Sequence, residues 1–188
     1  MIREFEEKRP AVPSSAYVDE TALLIGDVTL GEDVSVWPTA VLRGDVNRIM
    51  VGDRTSIQDG VVVHVTHDGP FTPGGVPTVI GTDVTVGHRA LLHGCTIESV
   101  CLVGMGAILM DEAVVRSEVI VAAGSVVPPG KELVSGYLYV GAPVRKVRPL
   151  SAREREQLLY SAEHYVRLKN RHLSGKPAAG NACTGEAQ

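Results

Sequence analysis

The stretch IESVCLVGMGAILMDEAVVRSEVIVAAGSVV, residues 97–127, decides the fold, because an apolar residue returns at every sixth position. A small or β-branched residue stands four positions after each apolar residue except the last. A fixed period this short is typical of a parallel β-helix built from hexapeptides. Three hexapeptides close one triangular coil, so residues eighteen positions apart are predicted to stack. The apolar slots are Ile97, Val103, Leu109, Val115, Val121 and Val127.

The same frame extends towards the N-terminus, with three interruptions. Three extra residues, 47–49, enter at a corner, and a loop of about a dozen residues rich in Gly and Pro, HDGPFTPGGVPT (67–78), enters next. One residue is missing after Leu92. The position four residues after each apolar slot is here called the small slot. Beside the first and last interruptions, this rule assigns Val46 and Thr96 to small slots. The upstream apolar slots are Val18, Leu24, Leu30, Val36, Leu42, Val51, Ile57, Val63, Ile80, Val86 and Leu92.

The chain divides into a repeat domain, residues 1–150, a helix, 151–173, and a tail, 174–188, that is predicted to be disordered because it lacks periodic apolar residues. The end of the repeat domain, GYLYVGAPVRKVRPL (136–150), is expected to leave the coil through its Gly-Ala-Pro turn signal. A capping box of Ser and Glu, S-x-x-E at 151–154, starts the helix, whose apolar spacing indicates that it packs against the prism.

Composition limits the function classes. The formal net charge of −4 offers no basic surface for nucleic acid. No stretch is apolar enough to span a membrane, and the charged start MIREFEEKRP does not resemble a secretory signal. The cysteines are odd in number, and Cys95 and Cys101 fall within the repeats as small apolar residues. A cytoplasmic protein is therefore expected.

The frame gathers histidines that lie far apart in sequence. If the interruptions are absorbed at corners, Arg43, His64 and His93, each directly after an apolar slot, form a column on one face. Neighbours in such a column are separated by the strand-pairing distance of roughly 4.8 Å. One metal ion can bridge two histidines at this spacing.

His88 belongs to the preceding face, because it is the second residue after its apolar slot, and it stacks above Asp59. From that face it cannot easily reach a metal held by His64 and His93 within one chain, but it could do so across a subunit interface in a three-fold assembly. Three imidazoles with an open fourth position are typical of catalytic zinc, whereas structural sites are usually closed by four ligands. Iron(II), cobalt and nickel also suit imidazole ligands.

Three motifs, RGDV (43–46), IQDGVVVHVTH (57–67) and VGHRALLHG (86–94), resemble the γ-class carbonic anhydrases and their bacterial homologues. The resemblance runs along the chain to about Leu173. It implies a left-handed parallel β-helix of the all-β class, assembled as a homotrimer with zinc at the subunit interfaces. It also implies reversible hydration of CO2 to bicarbonate.

The resemblance further assigns roles to single residues. It implies that His64 and His93 come from one chain and His88 from the next, in agreement with the frame. A structural alternative remains for the charged and amide residues: charges in an interface pair to avoid burial alone, and a corner amide binds backbone. The resemblance implies that Arg43, Asp45 and Asp59 form salt bridges between subunits. It also implies that Gln58 holds the bound water or bicarbonate.

The chain departs from the best-studied active members of that family beside the site. Those proteins carry acidic residues that shuttle protons, but here Val46 follows the RGD motif and residues 65–79 contain no glutamate. His67 is the candidate replacement, since an ordinary imidazole titrates near neutrality. Tyr160, on the predicted helix, is expected to approach the metal pocket. Activity is therefore expected to be present but slow.

Other functions share this repeat. Hexapeptide prisms also host acyltransferases, which use one histidine as general base and need no metal. A thioesterase, or a metal-binding homologue with little anhydrase activity, also remains open, because a fold alone does not fix a function. The three histidines in register favour the zinc lyase.

Overall fold

Short strands separated by tight turns wind the chain into a three-faced prism, and one helix follows them. The computed structural model describes residues 1–175. The strands are β1 Ile2–Arg3, β2 Tyr17–Val18, β3 Leu23–Leu30, β4 Ser35–Val36, β5 Val41–Val51, β6 Ser56–Ile57, β7 Val62–His64, β8 Thr78–Ile80, β9 Thr85–Val86, β10 Leu91–His93, β11 Thr96–Ile97, β12 Leu102–Val103, β13 Ile108–Leu109, β14 Val114–Val115, β15 Ile120–Val121, β16 Val126–Val127, β17 Glu132–Leu133, β18 Tyr137–Gly141 and β19 Val144–Pro149, and the helix is α1 Ala152–Leu173.

The faces are stacks of parallel strands. Face 1 contains β1, the first parts of β3 and β5, and then β7, β10, β13 and β16. Face 2 contains the second parts of β3 and β5, followed by β8, β11, β14 and β17. Face 3 runs from β2 through β4, β6, β9, β12 and β15 to the antiparallel hairpin of β18 and β19. Strand β5 therefore continues around a corner, where the three extra residues lie.

The predicted register is confirmed on all three faces. On face 1, Leu42 pairs with Val63 and Val63 with Leu92. The three extra residues are thus absorbed at the corner of β5, and most of the Gly- and Pro-rich loop lies between β7 and β8. The repeat also runs further than expected, because Leu133 and Tyr139 continue the columns of faces 2 and 3. The end of the repeat domain thus stays in the coil through β18 before the hairpin turns. The prediction of a parallel β-helix followed by an α-helix is confirmed.

Two assignments of small slots were wrong. Val46 is 45% exposed, and Ile49 fills the buried slot instead. Cys95, also buried, takes the slot assigned to Thr96. The residue that fills the small slot lies two positions before the next apolar slot, and not always four positions after the previous one. An insertion or deletion between two apolar slots therefore changes which residue faces the core.

Helix α1 lies along face 3 and begins with the predicted capping box. The hydrogen bond from Arg148, with further ones from Ser151, lowers the pKa of Glu154 to about 2. Near its other end, Lys169 is buried and pairs with Asp33 at 2.7 Å. Within the described residues, no helix has the length and apolar character needed to cross a membrane. Apart from its first two residues, the predicted disordered tail lies outside the described residues.

Candidate metal centre

His64 and His93 end adjacent strands of face 1 and are direct partners in the ladder. Each follows a buried residue of the core column, so its side chain points away from the core. His64 Nδ1 lies 3.1 Å from His93 Nε2. Two nitrogens bound to one tetrahedral zinc at 2.0–2.1 Å are about 3.3 Å apart, so the observed separation fits a shared metal ion.

His64 is held by a carboxylate on its other nitrogen. Its Nε2 lies 3.1 Å from Asp45 Oδ1, and Asp45 Oδ2 accepts a hydrogen bond of 2.6 Å from Arg43 Nη1. Burial raises the pKa of the Asp45 carboxyl, but the hydrogen bonds from Arg43 and His64 outweigh burial and hold it below its ordinary value. Burial, together with the nearby charges of Arg43 and His93, lowers the pKa of His64 although Asp45 raises it. This favours the neutral imidazole that a metal needs.

His93 has a carboxylate partner that the sequence did not reveal. Its Nδ1 lies 2.7 Å from Asp111 Oδ1, and the Thr66 hydroxyl donates to the same oxygen at 3.0 Å. Asp111 follows β13, the next strand of face 1 beyond β10. The signal was available: Asp111 is the second residue after an apolar slot in the coil that stacks next to His93.

When both rings are neutral, the two facing nitrogens carry lone pairs. An ionised carboxylate only accepts hydrogen bonds, and a neutral imidazole has one N–H. Asp45 and Asp111 therefore take the N–H groups of His64 and His93. The nitrogens that face each other are left without a proton between them, which is an arrangement that a cation stabilises.

His88 lies on face 3, just after β9, above Asp59 as predicted. Its Nδ1 lies 2.9 Å from Asp59 Oδ2, which leaves Nε2 free. The His88 backbone N–H donates to Gln58 Oε1 at 3.1 Å, and Gln58 Nε2 donates to the Tyr165 hydroxyl of α1 at 2.6 Å. Within residues 1–175, no group of three or more His, Cys, Asp or Glu side chains is placed to hold a metal. Within the described part of one chain, the histidine pair of face 1 and His88 of face 3 are therefore not gathered into one site.

Comparison with known proteins places this geometry in a family, although no family model matches the chain. Protein YrdA of Escherichia coli (strain K12) is 49% identical over 173 residues, which cover 92% of this chain and 94% of that protein. The mitochondrial gamma carbonic anhydrase 2 of Arabidopsis thaliana is 43% identical over 168 residues, 89% of this chain but 60% of the plant protein. The chain belongs to the γ-carbonic-anhydrase-like family of hexapeptide-repeat proteins.

A solved structure agrees with this family. The crystal structure of a hexapeptide transferase family protein from Anaplasma phagocytophilum superimposes with a TM-score of 0.83 at 41% identity, and the match covers 90% of this chain and 96% of that one. The predicted resemblance is confirmed. The γ-carbonic-anhydrase-like family includes proteins named for two different chemistries, so membership supports an enzyme and leaves the reaction to the site.

His67 lines a groove that also contains Asp45, the carboxylate partner of His64. The groove, of about 420 Å³, lies between the N-terminal segment, the corner after β5 begins, and the loop after β7. Asp45 and Val46 form one wall, and Glu6 lines the groove beside His67. Glu6 escaped sequence reasoning because it is far from the histidine motifs. Nothing in its local pattern distinguishes it from the other acidic residues of the N-terminal segment.

Tyr160 is not brought to the histidine pair within one chain. It lies on α1 along face 3, is 61% exposed, and stacks on His164 with ring centroids 6.2 Å apart. Its predicted approach to the metal pocket stays a prediction that requires a neighbouring chain.

Face 1 presents an apolar ladder beside the histidine pair. Five outward side chains pair rung by rung along the face, and the three central ones, Val62, Leu91 and Ile108, are 41%, 38% and 37% exposed. Contiguous exposed apolar surface is a common feature of protein interaction sites. The ladder consists of Val41, Val62, Leu91, Ile108 and Val126.

Proposed function

We propose that this protein catalyses the reversible hydration of CO2 to bicarbonate at a zinc centre shared between chains of a homotrimer. His64 and His93 of one chain and His88 of the next are the proposed ligands. The observation that carries the proposal is the 3.1 Å distance between His64 Nδ1 and His93 Nε2, with a carboxylate oxygen against the other nitrogen of each ring. Three neutral imidazoles suit zinc, and also iron(II) or cobalt(II).

The two faces that carry ligands support the assembly. Face 1 joins the histidine pair to the apolar ladder. Face 3 carries His88, which lines a groove of about 420 Å³ beside α1. The apolar lining of this groove includes Leu102, Met105 and Ile120. In a closed three-fold ring, face 1 of each chain meets face 3 of the next. Each contact then buries apolar surface on both sides and brings His88 to the pair.

Zinc held by these three histidines would supply a nucleophile for CO2 near neutral pH, because the metal would lower the pKa of a water molecule to about 7. Asp45 orients His64, and Asp59 orients His88. The amide oxygen of Gln58 accepts a hydrogen bond from the His88 backbone, and its amide nitrogen donates one to Tyr165. We therefore propose that Gln58 positions the His88 segment, in addition to the role implied by resemblance. Arg43, whose side chain is 43% exposed, remains available to Asp59 of a neighbour.

A proton must leave the centre in each turnover. We assign its exit to the groove beside Asp45, with His67 as acceptor and Glu6 as a second candidate. Val46 replaces a shuttle carboxylate on the same wall, so proton transfer is the expected limiting step. We place this activity in the cytoplasm, as the composition predicts.

The test measures metal content and CO2 hydration together. Purified without oxygen, the wild-type protein should hold about one metal ion per chain and hydrate CO2 in a stopped-flow assay. His93→Ala should lose metal and activity together, whereas His172→Ala, which removes an imidazole packed on Trp37 at the other end of α1, should keep both. A fully metallated wild-type trimer without CO2 hydration would refute the proposal.

Acyl transfer is a second candidate, favoured by the groove beside His88. Ser161 and Tyr165 from α1 also line this groove, which is of a size that holds a small ligand. If His88 acts there as a general base, His88→Ala should abolish acetyl transfer from acetyl-coenzyme A, and His64→Ala should not. In the zinc enzyme, both substitutions should abolish CO2 hydration.

A further inference from the structure

Asp111 has no role in the motifs that identify the family, yet its carboxylate lies against a proposed metal ligand. Its Oδ1 is 2.7 Å from His93 Nδ1 and also accepts the Thr66 hydroxyl at 3.0 Å. The Thr66 bond matters because it fixes the carboxylate from the side of the loop that follows β7. Asp111 is thus held from two directions, by face 1 and by the loop.

The backbone beside His93 is shaped to admit this carboxylate. Gly94 has φ +52°, in the left-handed region, and a Cβ added there would overlap Asp111 Oδ1. A glycine directly after the histidine therefore serves two purposes: it permits the turn, and it leaves the space in which Asp111 reaches the ring. Any side chain at this position would displace the carboxylate from His93.

We propose that Asp111 is a positioning residue of the metal centre, which accepts the Nδ1–H of His93 and so fixes the tautomer and orientation that present Nε2 to the metal. This inference rests on the proposed metal site. It makes Asp111 the counterpart of Asp45 at His64 and of Asp59 at His88, so each of the three ligands has its own carboxylate. Loss of such a partner typically weakens metal binding about 10- to 100-fold.

The variants separate charge, hydrogen bonding and folding. Asp111→Ala removes the acceptor, Asp111→Asn keeps a neutral acceptor oxygen of the same shape, and Glu112→Gln removes a carboxylate one residue away that makes no hydrogen bond to a histidine. Cobalt(II) affinity, measured by titration of the visible absorption, should fall about 10- to 100-fold for Asp111→Ala and less for Asp111→Asn. Glu112→Gln should bind cobalt(II) like the wild type.

A second readout requires no metal. In the metal-free protein, ¹⁵N NMR of the histidine side chains should show His93 protonated at Nδ1, and this preference should disappear in Asp111→Ala. Wild-type cobalt(II) affinity and an unchanged His93 tautomer in Asp111→Ala would overturn the inference. If the wild type binds no metal, the proposed function fails, and the tautomer comparison still decides whether Asp111 positions the ring.

Discussion

The proposed sharing of metal ligands between chains predicts a defined result when two inactive variants are mixed. His64→Ala removes a ligand from face 1, and His88→Ala removes one from face 3, so neither variant forms a complete site alone. In a mixed trimer, one interface joins the intact face 1 of a His88→Ala chain to the intact face 3 of a His64→Ala chain. Each mixed trimer therefore holds one complete site, because its three interfaces are directional.

The magnitude follows from random assembly. With equal amounts of the two chains, a site is complete when two independent conditions, each of probability one half, are met, so about one quarter of the wild-type sites should return. Zinc per chain and CO2 hydration should both recover to about this level after joint unfolding and refolding. Trimer content is checked by sedimentation velocity.

The matched control mixes His64→Ala with His93→Ala chains. Both of these ligands belong to face 1 of the same chain, so no arrangement of this mixture restores a site. The reasoning is refuted if the His64→Ala and His88→Ala mixture recovers no more metal or activity than this control. It is also refuted if a zinc-loaded wild-type monomer is found.

Three further predictions concern the interface, the proton path and the helix. Ile108→Asp should dissociate the trimer at micromolar concentration in sedimentation velocity, because each interface loses about 1 kcal/mol of apolar burial and gains a desolvated carboxylate. Met50→Asp, at an exposed apolar residue of face 2, should stay trimeric. His67→Ala should lower kcat at neutral pH, leave kcat/KM nearly intact, and regain rate with imidazole buffer; an unchanged kcat would dismiss the shuttle. Glu154 has its pKa lowered from 4.5 to about 2 on folding, so its contribution to stability is present above pH 4.5 and is lost as the pH falls through 2. In thermal melts, Glu154→Gln should therefore be less stable than wild type at pH 6, and this difference should vanish near pH 2. The control variant Glu156→Gln should melt like the wild type at either pH.

The hexapeptide periodicity of the sequence predicted where the histidines lie on the prism. Because each hexapeptide advances the chain by one face, counting alone placed His64 opposite His93 and His88 above Asp59, across insertions of different lengths. The pairing of these strands in the structure confirms the count. The capping box likewise fixed the start of α1, since its hydrogen bonds are local.

Counting residues along the repeat did not predict contacts between side chains that are far apart in sequence. The choice of Ile49 over Val46 for a buried slot depends on how the extra residues bulge at the corner. The place of Glu6 beside His67 depends on the path of the N-terminal segment. No periodic signal marks either outcome, because both arise from contacts between segments that do not belong to the same repeat.

The sequence by itself determined the prism, its register and the faces on which the three histidines lie, because these follow from a one-dimensional repeat. Only the tertiary structure decided which nitrogen of each ring is free, because that depends on which carboxylate reaches the other nitrogen. Asp111 reaches His93 from the adjacent coil, into space that Gly94 leaves open. Hydrogen bonds of this kind depend on distances and angles between side chains, and those are fixed only when the coils stack.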